Sequence, residues 1–436
     1  MERLSESTIR CYTEILKEEL LPAMGCTEPI AIAYAASILR HALGKNPTRV
    51  RIGLSGNIIK NVKSVIVPAT GGMHGIAAAT AAGIVAACPE KKLEVLSSLT
   101  EADRQKIASL LDTVPMEIHE LNTENAFEID LEGFCKESNA RVHFVGRHTN
   151  VAYVEKNGKD ITKDYQKKGC SPDSDTDAEQ TDRSLLNVKD IVTFADQVEL
   201  GELTPYLRRQ IDMNLAIAEE GLRNDYGASI GKLLYANGAC DLRNRAKAYA
   251  AAGSDARMSG CELPVCILSG SGNQGMTASL PVIIYAKERN ADEELLLRSL
   301  IVSDLITVRQ KTGIGCLSAY CGAISAGCGS GCGICYLEGG RFYEIAHTLV
   351  NAVAILSGTI CDGAKASCAA KIAMAVDAGI MGYEMMRSGH QFYGGDGIIT
   401  KGVENTIDNI GRLARDGMDE TDKEIIRIML SDPSQT

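Results

Sequence analysis

The chain has 436 residues, which corresponds to about three domains at ~150 residues each, although one or two larger domains fit equally well. Its 56 Asp and Glu residues outnumber its 45 Lys and Arg residues, and the resulting net charge of −11 argues against a nucleic-acid or anionic-membrane surface. Hydrophobic residues at 45% and charged residues at 23% are ordinary for a globular chain, so a packed core is expected.

Helix and strand patterns alternate over the first ninety residues. Apolar residues recur at helical spacing in residues 5–21 and 28–42, which predicts two helices. Arg49–Leu54 and Ser64–Val67 are predicted to be short strands, and the alanine-rich stretch 75–87 to be a helix.

A change to period-two alternation predicts an antiparallel β-meander, polar on one face, as a module of about residues 115–156. We expect this module to be structural or to face a second copy in a homodimer. The charged stretch of about residues 157–184 predicts an exposed loop. The histidines of the module alternate along its strands and form no Ser–His–Asp pattern at recognisable spacing: His119, His143 and His148.

After about residue 186 nearly every pattern is helical, with small residues at the packing faces. The exception is 263–269, a short extended run that leads into glycines. The predicted fold class is therefore α+β, with a mixed α/β N-terminal half that contains the meander and a predominantly helical C-terminal half. The corresponding domain division is 1–195 and 196–436.

The glycine motif Gly270-Ser-Gly-Asn-Gln-Gly275 matches G-x-G-x-x-G after a predicted strand and before a predicted helix. A dinucleotide site also needs a second strand that ends in an acidic residue about twenty positions later, where this chain has the helical stretch 291–301. A plain turn remains an alternative. We favour a smaller ligand, a carboxylate or phosphate held at a helix N-terminus, with side-chain donors from Ser269, Ser271 and Asn273.

Fifteen cysteines are the unusual feature of the composition. Charges occur throughout the first twenty residues, so we expect no signal peptide and place the protein in the reducing cytoplasm. Most of the cysteines are expected to be buried packing residues. Cys26 is different, because Thr27 as N-cap and Pro29 in the first turn place it at a helix N-terminus, where the helix dipole favours thiolate.

A cysteine-rich helix is predicted within the uncharged stretch 312–337, whose small residues indicate a buried helix rather than a membrane span. Its cysteines fall within roughly 60° of one another on one helical face: Cys321, Cys328, Cys332 and Cys335. The first and last would be about 21 Å apart, so a single metal centre cannot use them all.

Cys361-Asp-Gly-Ala-Lys365 is the last candidate motif, and its Asp and Gly indicate a break in helix. Lys365 follows one turn later and has the chemistry of an acid, a base or a charge clamp.

Together these motifs resemble the L-cysteine desulfidases, relatives of the iron–sulfur L-serine dehydratase α chain, along nearly the whole chain. The stretches that carry the resemblance are 24–29, 56–61 with 67–71, 270–275 and 361–365. The resemblance implies a C-terminal catalytic half and a [4Fe–4S] cluster on three cysteines with one iron open. It also implies release of pyruvate, ammonia and sulfide from L-cysteine without pyridoxal phosphate.

Carried over by motif, Cys26 and Cys361 match two of the cluster ligands. Cys321 best fits the third, because it precedes the pair Gly339-Gly340 by about a helix length. Cys328 is the alternative to Cys321, and Cys368 is the alternative to Cys361.

The resemblance further implies a small amino-acid substrate and neither a nucleic-acid nor a membrane partner. The expected substrate-binding residues are Asn57, Asn61, Ser269, Ser271, Asn273 and Gln274. Lys365 or Lys60 is expected to remove the Cα proton. Alternatives are the same fold acting on L-serine, a non-enzymatic redox-sensing protein, and a dinucleotide-dependent oxidoreductase.

Overall fold

A computed structural model describes residues 3–166, 181–315 and 318–431, and in them the predicted α+β class is confirmed. The helices are α1 (Glu6–Glu19), α2 (Thr27–Leu43), α3 (Gly56–Val62), α4 (Gly75–Ala86), α5 (Glu101–Thr113), α6 (Lys163–Gln166), α7 (Val188–Gln197), α8 (Thr204–Arg223), α9 (Ile230–Gly238), α10 (Leu242–Met258), α11 (Gly272–Arg289), α12 (Glu293–Ile314), α13 (Gly322–Leu337), α14 (Phe342–Ile355), α15 (Cys368–Arg387), α16 (Val403–Arg412) and α17 (Asp419–Ser431). The strands are β1 (Pro22–Met24), β2 (Arg49–Leu54), β3 (Met116–Glu120), β4 (Glu128–Cys135), β5 (Ser138–Val145), β6 (Val151–Lys156), β7 (Lys159–Asp160) and β8 (Pro264–Cys266). Short 3-10 or π turns lie at Pro89–Glu94, Arg183–Leu185, Leu200–Glu202 and Leu413–Gly417.

The prediction of a strand at Ser64–Val67 is wrong. The chain there forms only an isolated bridge between Ile66 and His74. It folds back on itself through the Gly71-Gly72 turn, so it finds one bridge partner rather than a ladder. The residues just before it form the short helix α3.

The six-stranded sheet has the order β3-β2-β4-β5-β6-β7. From β4 to β7 neighbouring strands are antiparallel, as the meander prediction requires. The first predicted meander strand, β3, lies elsewhere, because it pairs in parallel with β2 at the edge of the sheet. A parallel pair needs a crossover, and α3, α4 and α5 supply it.

One face of the sheet packs on α2, which is buried on nearly all sides because α4 covers its other face. Inward-facing apolar residues of β4 and β5 meet α2, and the rings of Phe144 and Tyr34 lie 5.3 Å apart in an edge-to-face arrangement. This packing fixes the N-terminus of α2 relative to the loops at the end of the sheet.

The sequence predicted a buried helix within the stretch Thr312–Leu337. The stretch is not one continuous helix. α12 ends at Ile314 and α13 begins at Gly322, so Cys321 is the N-cap of α13 rather than a residue of its body. The other cysteines of the stripe are fully buried packing residues: Cys328, Cys332 and Cys335. In the part of the chain that is described, no helix is long and apolar enough to cross a membrane.

Two hydrophobic cores divide the molecule. One contains α2, α4 and the sheet, and the other contains α1 and most of the helices from α7 onward, while α9 packs in a small third cluster. α1 joins the helical core through contacts such as the Tyr12 and Phe194 rings, 5.4 Å apart. The domain division at residue 195 stays a prediction, and residues 167–180 of the predicted exposed loop lie outside the described residues.

A buried carboxyl group lies in the middle of the helical core. Asp304 on α12 is fully buried and accepts a hydrogen bond from Gln210 Nε2 (3.0 Å). Burial raises the pKa of Asp304 to about 8, and the Glu19 charge adds to this effect. The other oxygens of the pair, Asp304 Oδ2 and Gln210 Oε1, lack partners within the described chain. With so few donors around it, the carboxyl group is better suited to its neutral, protonated form than to a negative charge.

We expect Asp304 to make the folded protein less stable as the pH rises. Between about pH 4 and pH 8 the folded state holds a proton that the unfolded state has lost, so the free energy of unfolding falls by up to about 1.4 kcal/mol per pH unit. In Asp304→Asn this contribution should vanish, which urea unfolding at several pH values would measure. Asp292→Asn, which removes an exposed carboxylate before the same helix, should keep the wild-type slope.

Candidate functional site

Two of the predicted ligand cysteines lie together although forty positions separate them. An isolated antiparallel bridge between Tyr320 and Ile360 aligns the segment before α13 with the segment before α15. Beside it, the Cys321 N–H donates to the carbonyl of Thr359 (2.9 Å). The side chains of Cys321 and Cys361 lie close enough for each thiol to shift the pKa of the other.

This thiol pair has an uneven charge distribution. Contact with Cys321 lowers the pKa of the Cys361 thiol to about 6, assisted by the positive charges of Lys60 and Lys365. The same contact, together with burial, raises the pKa of Cys321. Negative charge is therefore favoured on Cys361 over Cys321.

The loop after Cys361 rests directly on α3. Gly363 has a φ of +93°, and a Cβ at this position would lie 2.2 Å from the Lys60 carbonyl oxygen, so only glycine fits without rearrangement. The next residues fold back into an ion-pair cluster, because Asp362 bonds the Nζ atoms of Lys365 (2.5 Å) and Lys371 (2.6 Å).

Lys60 is buried and pairs with Asp422 of α17. The sequence did not indicate this partner, because it lies more than 350 positions away and on an otherwise exposed helix. Lys60 and Lys365 are thus both ion-paired ammonium groups that flank Cys361.

The third predicted ligand, Cys26, is the N-cap of α2, whereas Thr27 was predicted to be the cap. Its thiol donates to Glu28 Oε2 (3.2 Å), and the Thr27 hydroxyl donates to the Gly270 carbonyl (3.1 Å). Burial and the Glu28 charge raise the pKa of Cys26, so they outweigh the helix dipole that was expected to favour thiolate.

Glu28 connects Cys26 to the other two cysteines. Its second oxygen accepts from Asn61 Nδ2 (3.1 Å), and Asn61 neighbours the Lys60 carbonyl on which the Cys361 loop rests. By contrast, Cys328 has no charged neighbour that moves its pKa, which burial raises to about 12. Cys368 lies closer to the site and donates to the Gly363 carbonyl (3.7 Å).

The glycine motif occupies the turn between β8 and α11. Residues 291–301 were predicted to be helical, and most of them belong to α12. The second strand of a dinucleotide fold is therefore not formed there. The Ser269 and Ser271 N–H groups already donate, to Glu19 Oε2 (2.8 Å) and to the Leu268 carbonyl (3.0 Å). The groups left for a ligand are the first-turn N–H groups of α11.

The start of α11 meets the start of α13. Gln274 is buried, and its side chain lies against Gly322, where a Cβ would be 2.6 Å from Gln274 Cδ. The α2, α11 and α13 N-termini are therefore joined by the contacts at Gly270 and Gly322. Helix N-termini carry partial positive charge and attract thiolates and carboxylates.

Buried polar atoms near these termini that lack hydrogen-bond partners among the described residues include Asn57 Oδ1, His148 Nε2, Asn273 Oδ1 and Gln274 Oε1. Buried polar atoms are nearly always satisfied, so such a group indicates a polar ligand. Asn57 lies one helical turn before Asn61 on the same face of α3. Asn61 is already committed to Glu28.

The sequence missed three residues of this site: Glu28, His148 and Arg257. Arg257 on α10 donates to the Gly25 carbonyl (2.9 Å) beside Cys26. His148 arrives from the β5–β6 loop, and Gly270 lies next to its ring. Glu28 lies within the 24–29 motif beside Cys26, whereas His148 and Arg257 are brought in by other elements and had no local pattern to indicate them.

Comparisons of the amino-acid sequence with known proteins identify a family. The model for the serine dehydratase alpha chain matches residues 90–427, which include Cys321 and Cys361. A UPF0597 protein of Desulfitobacterium hafniense (strain Y51) is 54% identical over 434 residues, with 99% of each chain covered. One from Lachnoclostridium phytofermentans is 48% identical over 418 residues, covering 96% of this chain and 99% of its own. One from Treponema denticola is 43% identical over 434 residues, covering 98% of this chain and 100% of its own. The chain belongs to the serine dehydratase alpha chain family.

Proposed function

We propose that the protein is an iron–sulfur-dependent lyase that eliminates sulfide from L-cysteine and yields pyruvate and ammonia without pyridoxal phosphate. The observation that carries the proposal is the Tyr320–Ile360 bridge, which brings Cys321 and Cys361 together beside Lys60. Family membership supports lyase chemistry, and the thiol pair supports a cofactor held by cysteine.

Cys26, Cys321 and Cys361 would hold a [4Fe–4S] cluster. The donor set fits, since cysteine thiolates are the usual cluster ligands and two of these cysteines cap helices. Within the described ranges no three His, Cys, Asp or Glu side chains are arranged for a single metal ion. When bound, the cluster supplies a Lewis-acidic iron that favours departure of sulfide. Loading it requires Cys26 to give up its proton.

The two lysines act as charge clamps in this proposal. Lys60 and Lys365 flank Cys361 and stabilise negative charge on its sulfur. Their own charges are balanced by Asp422 and Asp362, which hold them in place. The role of proton acceptor, considered for both lysines from the sequence, suits ion-paired ammonium groups poorly.

The amino acid would bind between α3 and the start of α11. Side-chain oxygens of Asn57, Asn273 and Gln274 lack partners in the described structure and are suited to an ammonium group. The first-turn N–H groups of α11 are suited to a carboxylate. Ser269 and Ser271 remain proposed contacts through their hydroxyl groups.

L-Serine is the second candidate substrate, and the family match favours it. Serine and cysteine share the carboxylate, the ammonium group and the Cα–H, so the contacts above serve both. The two differ only in the leaving group, which is hydroxide from serine and hydrosulfide from cysteine.

Anaerobically purified protein should contain about four iron and four labile sulfide atoms per chain and should release sulfide and pyruvate from L-cysteine. Pyruvate release from L-serine, measured on the same sample, distinguishes the two candidates through the ratio of their kcat/KM values. Turnover of serine alone would exclude the desulfidase assignment. Iron-free anaerobic protein without turnover of either substrate would overturn the proposed function.

Iron content should depend on three cysteines and not on their neighbours. Cys26→Ala, Cys321→Ala and Cys361→Ala should each lose most of the iron and at least 100-fold in turnover, because removing one ligand opens the cluster. Cys332→Ala, at a buried packing position, should keep its iron. Iron analysis and the visible absorption spectrum measure the iron content of each variant.

The same experiment distinguishes the assigned ligands from the alternative ligands, Cys328 and Cys368. Cys328→Ala and Cys368→Ala are expected to load iron as the wild type does. Iron loss in Cys328→Ala with iron retained in Cys321→Ala would reverse the assignment of the third ligand, and the same comparison applies to Cys368 and Cys361.

Gln274→Ala and Asn57→Ala should weaken substrate binding while the iron content stays normal. A hydrogen bond to a charged group contributes about 1.5–3 kcal/mol, which corresponds to roughly 10- to 100-fold in kcat/KM. Steady-state kinetics would measure this effect. Asn46→Ala removes an exposed amide outside the site and should have wild-type kinetics, so equal losses in all three variants would contradict the assignment.

A further inference from the structure

Elimination from an amino acid requires a group that accepts the Cα proton. Of the lysines considered for this role, Lys60 bonds Asp422 and Lys365 bonds Asp362, and an ion-paired ammonium group has no free lone pair. The site therefore needs another group with an uncommitted lone pair.

His148 has an uncommitted ring nitrogen. It lies in the turn between β5 and β6, a turn fixed by the Gly146 N–H, which donates to the Phe127 carbonyl (2.9 Å), and by Asn150 Nδ2, which donates to the Val145 carbonyl (2.9 Å). The imidazole packs on the buried Phe127 ring with 4.7 Å between ring centres. The sheet thus holds the imidazole in a defined position rather than at the end of a loose loop.

The imidazole also lies beside the glycine loop of the site. Its Cε1 lies 3.7 Å from the position that a Cβ on Gly270 would occupy, at the loop tied to Thr27. Its Nε2 is buried and finds no hydrogen-bond partner in the described parts of the chain. A ring held by aromatic packing with an unpartnered nitrogen is suited to proton transfer with a bound ligand.

The charges around His148 suit a base that becomes positive only during the reaction. Burial lowers the pKa of His148, and Arg257 on α10 lowers it further, so the ring is neutral at the start. Glu28 on α2 acts in the opposite direction and would stabilise the imidazolium once it forms. A carboxylate supports the imidazolium in the same manner in hydrolytic triads.

We propose that His148 is the catalytic base of this site, an inference that rests on the proposed elimination reaction. Its Nε2 takes the Cα proton, and the Cα–H electron pair forms the Cα=Cβ bond. The Cβ–S bond breaks and its electron pair leaves with hydrosulfide, so that one imidazolium, one aminoacrylate and one hydrosulfide balance the reactants. Water then converts the aminoacrylate to pyruvate and ammonia. The β-meander thereby contributes a reacting group to the site.

His148→Gln should lower kcat by about 10²- to 10⁴-fold, the usual contribution of a general base, with KM changed only a few-fold. Its iron and labile sulfide contents should equal those of the wild type. His119→Gln removes an imidazole from β3 of the same sheet and should keep wild-type kinetics. Turnover of His148→Gln within threefold of the wild type would overturn the proposal.

Two further measurements separate a base from a structural residue. In the wild type, kcat/KM should fall as His148 becomes protonated at acidic pH, and this limb should be absent in His148→Gln. In His148→Gly, added imidazole should restore turnover in proportion to its unprotonated fraction. An unchanged acidic limb, or the absence of rescue in a variant that retains iron and a wild-type Tm, would exclude His148 as the base.

A failure of the base assignment can be told apart from a failure of the proposed elimination reaction. A wild-type protein that loads iron and releases sulfide, alongside an equally active His148→Gln, would remove only the base assignment. A wild-type protein that processes neither cysteine nor serine would remove the reaction and the base assignment together.

Discussion

One backbone contact joins the two parts of the site. Gly363 approaches the Lys60 carbonyl so closely that any side chain would collide with it, and its φ of +93° is one that other residues rarely adopt. Through this contact the loop that carries Cys361, from the helical part of the molecule, rests on α3, whose buried residues belong to the core of the sheet. The position of Cys361 relative to Lys60, and through Asn61 and Glu28 to Cys26, depends on it.

Around this contact the structure gathers helix N-termini. α2, α11 and α13 begin beside one another, and Cys26 and Cys321 are the caps of two of them. Each terminus adds partial positive charge and free N–H groups, and Lys60 and Lys365 add full charges. Contact with Cys321 and the charges of the two lysines lower the pKa of Cys361, whereas burial and the Glu28 charge raise the pKa of Cys26.

Local periodicity was sufficient for much of the fold. Helices α1, α2 and α4, strand β2 and the antiparallel strands β4–β6 follow from patterns within a few residues. Helical geometry also indicated that the cysteines of 312–337 cannot all share one metal centre, and Cys328, Cys332 and Cys335 are buried. The same rules failed at Ser64–Val67 and β3, because strand pairing depends on which partner is available elsewhere in the chain.

The sequence alone therefore determined the residue types of the site and the motifs that mark the family, since these are matters of local chemistry and spacing. Only the tertiary structure decided that Cys321 lies at the end of a helix beside Cys361, that Asp422 and Asp362 neutralise the two lysines, and that His148 enters from the sheet. These relations join segments far apart in the chain. They are set by packing and by the burial of charge, which leave no periodic trace in the sequence.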